Sequence, residues 1–203
     1  MTEPPHQGPA RPEPTLPPQS TGPQSTGPQP TGQEPPQERA QQQRAQQEQW
    51  HGYEVDVVWT GNTGPGTSSY LSYHRTHEVR APGKEVVAGS ADPVFHGEAD
   101  RYNPEELLIA SLSQCHMLWY LHLAAETGVL VLGYHDRASG TLREDADGSG
   151  QFEEVVLAPE VTVADPAIVD AAEALHARAH ELSYVAKALT FPVRHEFSTR
   201  VAH

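Results

Sequence analysis

The fold of this chain is decided by residues 102–124, which read YNPEELLIASLSQCHMLWYLHLA. Asn103 is a favourable helix N-cap and Pro104 suits the first helical position. Two glutamates follow in the first turn, where the helix dipole favours negative charge. Gly128 is a typical residue to end the helix. The sequence therefore predicts a helix between Asn103 and Gly128, about 24 residues and roughly 36 Å long.

Apolar side chains cover nearly the whole circumference of this predicted helix. They are Leu107, Leu108, Ile109, Leu112, Met117, Leu118, Trp119, Leu121 and Leu123. A helix that is apolar on all sides is normally buried. This one is too large for a domain of its size to enclose alone, so we expect a dimer in which two such helices pack together.

The segment before the domain, residues 1–49, has a different composition. It holds twelve of the 19 prolines and twelve glutamines, and the pentapeptide STGPQ occurs twice, at 20–24 and 25–29. Its few apolar side chains cannot offset the entropy lost on ordering the chain. We therefore predict a disordered tail at 1–49, with a spacer role favoured over a docking role, and a folded domain at 50–203.

Strand patterns flank the helix on both sides. Before it, strands are predicted at 53–59, 70–79 and 83–87, and after it at 131–142, 152–163 and 193–201. A second helix is predicted after Asp165-Pro166, ending near Leu182. Residues 144–150 imitate the start of a calcium loop, but Val156 occupies the twelfth position, so a polar hairpin turn is predicted. This order of elements predicts an α+β fold.

The charge of the chain excludes several kinds of partner. It has 27 acidic and 13 basic side chains, a net charge of −14, and no cluster of lysine and arginine. Nucleic acid and anionic membrane surfaces are therefore not expected partners. No continuous apolar run approaches the roughly 20 residues of a membrane span, and the start of the sequence lacks the pattern of a secretory signal. With Cys115 as its single cysteine, the chain is expected to be soluble and cytoplasmic.

Cys115 lies in the middle of the predicted central helix. A lone cysteine in such a place is usually a small core residue. Its neighbours, however, are polar for a helix otherwise so apolar: Ser111, Ser113, Gln114, His116 and His122. Buried polar groups are costly unless they are paired, and clusters of them often mark functional sites.

A second cluster of candidate ligands lies in the second helix. His176 and His180 are spaced i, i+4, with Glu173 on the same face, which is the spacing of a metal half-site. No third strong ligand is evident nearby, so a solvated helix face is the favoured interpretation. We predict no metal and no cofactor.

The segment 102–124 resembles the central-helix signature of the OsmC/Ohr family, the osmotically inducible and organic hydroperoxide resistance proteins. One branch of that family is also similar in three shorter stretches: GSADPxFxG at 89–97, YxxYxRxH at 70–77 and AHE at 179–181. The resemblance runs from about Tyr53 to the end of the chain. It implies an intertwined α+β homodimer in which antiparallel sheets wrap around long central helices.

The resemblance also implies thiol chemistry, in which a peroxidatic cysteine attacks an organic hydroperoxide and becomes a sulfenic acid. Cys115 matches that cysteine, and Glu105 matches the acidic residue that holds an arginine beside the thiolate. Arg75 is the candidate arginine, and His116 is given a supporting or substrate-pocket role. Ten helical residues separate Glu105 from Cys115 by roughly 15 Å. If both serve one site, either the helix is broken or Glu105 comes from the partner subunit, and the partner subunit is the favoured alternative.

The sequence departs from the family's catalytic pattern at one position. Ser183 stands where the resemblance places a second, resolving cysteine, and serine forms no disulfide. The favoured hypothesis is a peroxidase in which an external thiol regenerates Cys115. The alternative is a non-catalytic dimer that binds a small ligand. A third hypothesis is an interaction protein whose domain anchors the tail.

Overall fold

The structure is a computed structural model that describes residues 49–202. The tail predicted to be disordered, residues 1–49, lies outside the described residues except for residue 49. Three strands, β1 to β3, precede the central helix α1, and the remaining strands and helices follow it. They are β1 (Asp56–Trp59), β2 (His77–Arg80), β3 (Val87–Gly89), α1 (Pro104–Thr127), β4 (Val131–Asp136), β5 (Ser139–Glu144), β6 (Gly150–Leu157), β7 (Pro159–Val163), α2 (Val169–Leu182), α3 (Tyr184–Lys187), β8 (Val193–His195) and β9 (Ser198–Val201).

The ends of α1 confirm the predicted helix. The Asn103 side chain accepts a hydrogen bond from the backbone N–H of Glu106, and the Glu106 carboxylate accepts one from the Asn103 N–H. This reciprocal pair is a capping box. Gly128 ends the helix in the left-handed conformation, with φ of 75°, which glycine adopts without strain.

The strands form three sheets of three strands each, in the orders β1-β2-β3, β4-β7-β9 and β5-β6-β8. Pairing is antiparallel except for β6 with β8 and β7 with β9, which are parallel. The fold is therefore α+β as predicted, with two mixed sheets. Residues 144–150 join β5 to β6 as a hairpin, which confirms the predicted turn.

The three long strands predicted after α1 are each wrong in the same way. Residues 131–142, 152–163 and 193–201 each contain two strands that belong to different sheets. The chain turns a corner near Ala138, Ala158 and Glu196. At the second corner the Asp136 carboxylate accepts a hydrogen bond from the Ala158 N–H at 2.7 Å, which fixes the turn.

The strand predicted at 70–79 is also shorter than expected, since only its last residues belong to β2. In the rest of the predicted strand, side chains form hydrogen bonds with the local backbone. The Ser72 hydroxyl bonds the carbonyls of Gly66 and Ser69, and the Arg75 guanidinium bonds those of Tyr70 and Tyr73. Such local bonds compete with a sheet ladder.

The helix α1 is buried along one stripe. Four of its residues are buried, namely Leu112, His116, Tyr120 and Ala124. Other apolar side chains stay exposed in the single chain, and Leu118 is 60% exposed. A single chain thus leaves part of the helix uncovered, and its burial by a partner subunit stays a prediction.

Two apolar clusters form on α1. The larger joins it to α2 and to the sheet of β4, β7 and β9. The smaller surrounds Leu112 and includes Val155 and Leu157 of β6. Among the helices, α1 packs most extensively on α2.

The interpretation of His176 as part of a solvated face is wrong. His176 is only 2% exposed, because it faces α1 together with Ala172 and Ala179 of the same helix. These three residues are spaced by four and three positions, which is the stripe of a helix that packs on another helix.

Candidate functional site

The thiol of Cys115 is half-buried on α1 and faces the junction between α2 and α3. Ser183 lies at that junction, where it ends α2 and caps α3. The Ser183 Oγ lies 3.3 Å from the Cys115 Sγ. Ser183 is 1% exposed, so the serine side of this contact is buried. The structure thus brings together two of the predicted site residues that are 68 positions apart in the chain.

A cavity of about 350 Å³ opens beside the thiol. Its lining is formed by Cys115, Leu118, Trp119, His122 and Tyr184. The Trp119 ring contacts both the Tyr184 and the His122 rings edge to face, with centroids 5.6 Å apart in each case. The described lining holds no arginine or lysine. This cavity suits an uncharged apolar molecule presented to the thiol.

Arg75 and Glu105 line a different cavity, of about 340 Å³, between the first sheet and the start of α1. The Arg75 guanidinium lies over the rings of Tyr70 and Tyr73, at 4.4 Å and 4.3 Å from their centroids. These cation–π contacts and its two carbonyl hydrogen bonds hold the arginine in a fixed orientation.

A single chain therefore divides the predicted site between two places. Cys115 and Ser183 share one cavity, and Arg75 and Glu105 share the other. Ten helical positions separate Glu105 from Cys115 along α1, a distance of roughly 15 Å. The arginine that the resemblance places beside the thiolate is not beside it within one chain.

His116 points away from the cavity of Cys115 into the core. Its Nε2 atom lies 3.0 Å from the Nδ1 atom of His176, and its ring centroid lies 4.6 Å from that of His195. The rings of His180 and His195 are also in contact, with centroids 4.8 Å apart. Sequence reasoning missed this four-histidine cluster. The spacing of Ala172, His176 and Ala179 on one stripe of α2 was the signal that could have found it.

Burial changes the acidity of these histidines. It lowers the pKa of His116 to about 3, with a further contribution from the neighbouring histidines. Burial also lowers the pKa of His176 to about 4 and that of His195 to about 4. His116, His176 and His195 are therefore neutral near pH 7. Among the described residues, no group of three or more His, Cys, Asp or Glu side chains is arranged to hold a metal ion.

The polar neighbours of Cys115 do not form one cluster, because they lie on different faces of α1. The Ser113 hydroxyl donates to the Asp136 carboxylate at 2.5 Å, on the side of β4. The His122 Nε2 atom lies 3.3 Å from a Glu126 carboxylate oxygen on the exposed side. Of the polar residues around the thiol, Ser183 is the one that contacts its sulfur, and it comes from a distant part of the chain.

These features define an α+β protein with one half-buried thiol on a long central helix, beside an apolar cavity. The family model described as "OsmC-like protein" matches residues 97–198, half of the chain. The chain belongs to the OsmC-like protein family, as the resemblance in its central helix predicts.

Solved structures share this fold. An OsmC-like protein of unknown function from Vibrio cholerae is 28% identical, with a TM-score of 0.66, over 73% of this chain and 100% of the other. An organic hydroperoxide resistance protein from Legionella pneumophila is 19% identical, with a TM-score of 0.55, over 76% of this chain and 100% of the other. A protein of the same description from Elizabethkingia anophelis is 16% identical, with a TM-score of 0.54, over 75% of this chain and 99% of the other. These last two likenesses support the fold alone.

A comparison with curated proteins found no match. Among the described residues, α1 is the one helix long and apolar enough to cross a membrane by length and composition. Core helices of soluble proteins meet the same criteria, and the stripe from Leu112 to Ala124 packs inside this fold.

Proposed function

We propose that the protein is a thiol-dependent peroxidase that reduces organic hydroperoxides in the cytoplasm, as part of oxidative-stress defence. The observation that carries the proposal is the half-buried Cys115 thiol, which opens into an apolar cavity and contacts the Ser183 hydroxyl. Membership of the OsmC-like family supports it. Two solved structures that share its fold are described as organic hydroperoxide resistance proteins.

The first step is attack of the Cys115 thiolate on the terminal oxygen of the hydroperoxide. A sulfur–oxygen bond forms, the oxygen–oxygen bond breaks, and the leaving alkoxide takes up a proton to become an alcohol. The cysteine is oxidised to a sulfenic acid. The apolar lining of the cavity, with Leu118 and Trp119, favours an uncharged organic group on the substrate.

The second step requires a thiol from outside the chain. Cys115 is the single cysteine, and Ser183 contacts it at the position where a resolving thiol is expected. An external thiol condenses with the sulfenic acid, releasing water and forming a mixed disulfide. A second thiol then attacks that disulfide and restores Cys115. No cofactor takes part in this cycle.

The catalytic form in this proposal is a homodimer. Leu118 on α1 and Val57 on β1 are 60% and 66% exposed in the single chain. In this proposal these side chains lie in the dimer interface, where apolar surface is covered by the partner. A partner that covers it would also bring its own Arg75 and Glu105 to the Cys115 of the first chain, which supplies the cation that a thiolate needs.

The proposal is tested by treating the purified protein with one equivalent of cumene hydroperoxide and trapping sulfenic acid with dimedone. Intact-mass measurement should show one adduct, located at Cys115 by peptide mapping, and none in Cys115→Ser. Turnover should rise in proportion to added dithiothreitol. A thiol that stays unmodified by the peroxide would contradict the proposal.

One observation favours a second function, a non-catalytic dimer that binds a small apolar ligand. It is the Ser183 hydroxyl, which occupies the place of the thiol that would close a two-cysteine cycle. In that case Cys115 stays reduced in peroxide. A ligand in the cavity of Leu118 and Trp119 would then slow alkylation of the thiol.

A further inference from the structure

The hydroxyl of Ser183 has two neighbours that fix the direction of its hydrogen bonds. Its oxygen accepts a hydrogen bond from the backbone N–H of Ala186 at 3.3 Å, as the N-cap of α3. Its other neighbour is the Sγ of Cys115, also at 3.3 Å. A serine hydroxyl carries a single hydrogen, and a thiolate carries none. When Cys115 is ionised, Ser183 must therefore be the donor of the contact.

We infer that Ser183 is a catalytic residue, whose hydroxyl donates a hydrogen bond to the Cys115 thiolate and so stabilises the attacking form of the sulfur. This inference rests on the proposed function. It assigns a hydrogen-bonding role to the serine that stands where the resemblance places a resolving cysteine. Ser183 contacts the reacting atom, and its own side chain is 1% exposed.

The surroundings of the sulfur explain why this donor matters. Cys115 lies about ten residues from the N-terminus of α1, too far for the helix dipole to act, since that effect falls off within the first turn. The described lining of its cavity holds no arginine or lysine, and Arg75 of the same chain lies in the other cavity. Among the described residues of one chain, Ser183 is thus the polar group that is hydrogen-bonded to the sulfur. A hydrogen bond to a charged group is stronger than one between neutral groups.

The test is the pH profile of Cys115 alkylation, which is free of interference because the chain has one cysteine. The full-length protein is treated with iodoacetamide between pH 5 and pH 10, and the rate is followed by intact mass. Ser183→Ala should shift the profile to higher pH by about one unit. The alkylation rate at neutral pH should then fall about tenfold. Below the midpoint of the profile, a midpoint that is one pH unit higher means a tenfold smaller fraction of thiolate.

Two further variants separate the hydroxyl from the helix cap. Ser183→Gly keeps most of the capping preference but lacks the donor, and should shift the profile as Ser183→Ala does. Asp165→Ala removes a cap beside α2, where the Asp165 carboxylate bonds the N–H of Ala167 at 2.8 Å, without touching the thiol. It should leave the profile unchanged. Alkylation profiles that coincide for the wild-type protein, Ser183→Ala and Ser183→Gly would overturn the inference.

This experiment also separates the inference from the proposed function. A shifted alkylation profile together with a thiol inert to cumene hydroperoxide would leave the hydrogen bond standing and contradict the peroxidase. An unshifted profile with normal formation of sulfenic acid would contradict the role of Ser183 and leave the peroxidase standing.

Discussion

The His116 Nε2 atom and the His176 Nδ1 atom lie 3.0 Å apart where α1 packs on α2, and both side chains are at most 2% exposed. Two neutral rings form this bond when one donates and the other accepts. A proton added to the pair would place a charge in the core, beside the further histidines His180 and His195. A charge on His116 or His176 therefore disfavours the contact between α1 and α2.

This arrangement predicts that the domain loses stability in mild acid. The folded-state pKa values of His116 and His176 are about 3 and about 4, below the value of 6.5 for an unperturbed histidine. Between these values the unfolded chain binds more protons than the folded one. The contribution is fully present above pH 6.5 and is lost as the pH falls towards 4. In this range, each such histidine should lower the free energy of unfolding by about 1.4 kcal/mol for every unit by which the pH falls.

The acid prediction is measured by urea unfolding at several pH values between 4 and 7. His176→Phe keeps an aromatic ring against Tyr120 and Phe197, which His176 contacts at centroid distances of 4.4 Å, but removes one titrating group. Its stability should depend less steeply on pH than that of the wild-type protein. His135→Gln, at an exposed position of β4, should keep the wild-type slope. Equal slopes for all three proteins would refute the prediction.

The contact between Ser183 and Cys115 predicts that a second thiol placed here closes the cycle inside the chain. After one equivalent of cumene hydroperoxide, Ser183→Cys should form an intramolecular disulfide with Cys115, because the present oxygen and sulfur are already 3.3 Å apart. The measurement is intact mass under non-reducing conditions, which should show the loss of two hydrogens. Further oxidation by excess peroxide should slow, since the sulfenic acid is consumed as it forms.

The matched control for this disulfide is the double variant Cys115→Ser with Ser183→Cys, which retains one thiol at the new position. It should gain no disulfide within the chain. If Ser183→Cys itself keeps two free thiols after oxidation, then Cys115 is a packing residue, and the ligand-binding alternative gains support.

The helix ends could be predicted from sequence because capping is local. Asn103, Pro104 and Gly128 determine the bounds of α1 through contacts within a few residues. The match at Cys115 and Ser183 came from the family resemblance, which carries information about the fold that spacing alone does not. Their contact across 68 positions is a consequence of how α2 packs on α1.

Other features depend on packing that the sequence pattern does not encode. Alternation predicts an extended segment at 131–142 but not that β4 and β5 enter different sheets. The burial of His176 follows from the face that α2 presents to α1. The i, i+4 spacing of two histidines does not predict this, because it is equally compatible with a solvent-exposed helix face. The separation of Arg75 and Cys115 into two cavities likewise depends on how the first sheet packs, which the sequence pattern does not predict.

A third prediction concerns the homodimer. Val57 is 66% exposed on β1, a strand whose four residues are all exposed in the single chain, so a partner should cover it. Val57→Glu would place an unpaired charge in that interface and should convert the dimer to a monomer. Light scattering coupled to size exclusion, at micromolar concentration, measures the change. Lys84→Glu, in the exposed turn before β3, should remain dimeric. A wild-type monomer under these conditions would disprove the dimer.

The fourth prediction tests whether the two halves of the site meet across the dimer. Cys115→Ala lacks the nucleophile and Arg75→Ala lacks the cation, so each homodimer should have very low peroxidase activity. In a mixed dimer, the intact Cys115 of one chain would face the intact Arg75 of the other. Random exchange makes half of the dimers mixed, each with one complete site, so activity should recover to about a quarter of the wild-type value.

Co-refolding an equimolar mixture of these two variants, followed by a cumene hydroperoxide assay with dithiothreitol, measures the recovery. If Arg75 instead served the Cys115 of its own chain, the mixed dimer would hold no complete site and activity would stay at the level of the separate variants. Co-refolding Cys115→Ala with a double variant of Cys115→Ala and Arg75→Ala is the control, because no thiol is present and no activity should appear. Glu105→Gln mixed with Cys115→Ala should behave like Arg75→Ala in the same assay, because Glu105 and Arg75 line one cavity and would act on the thiol as a pair.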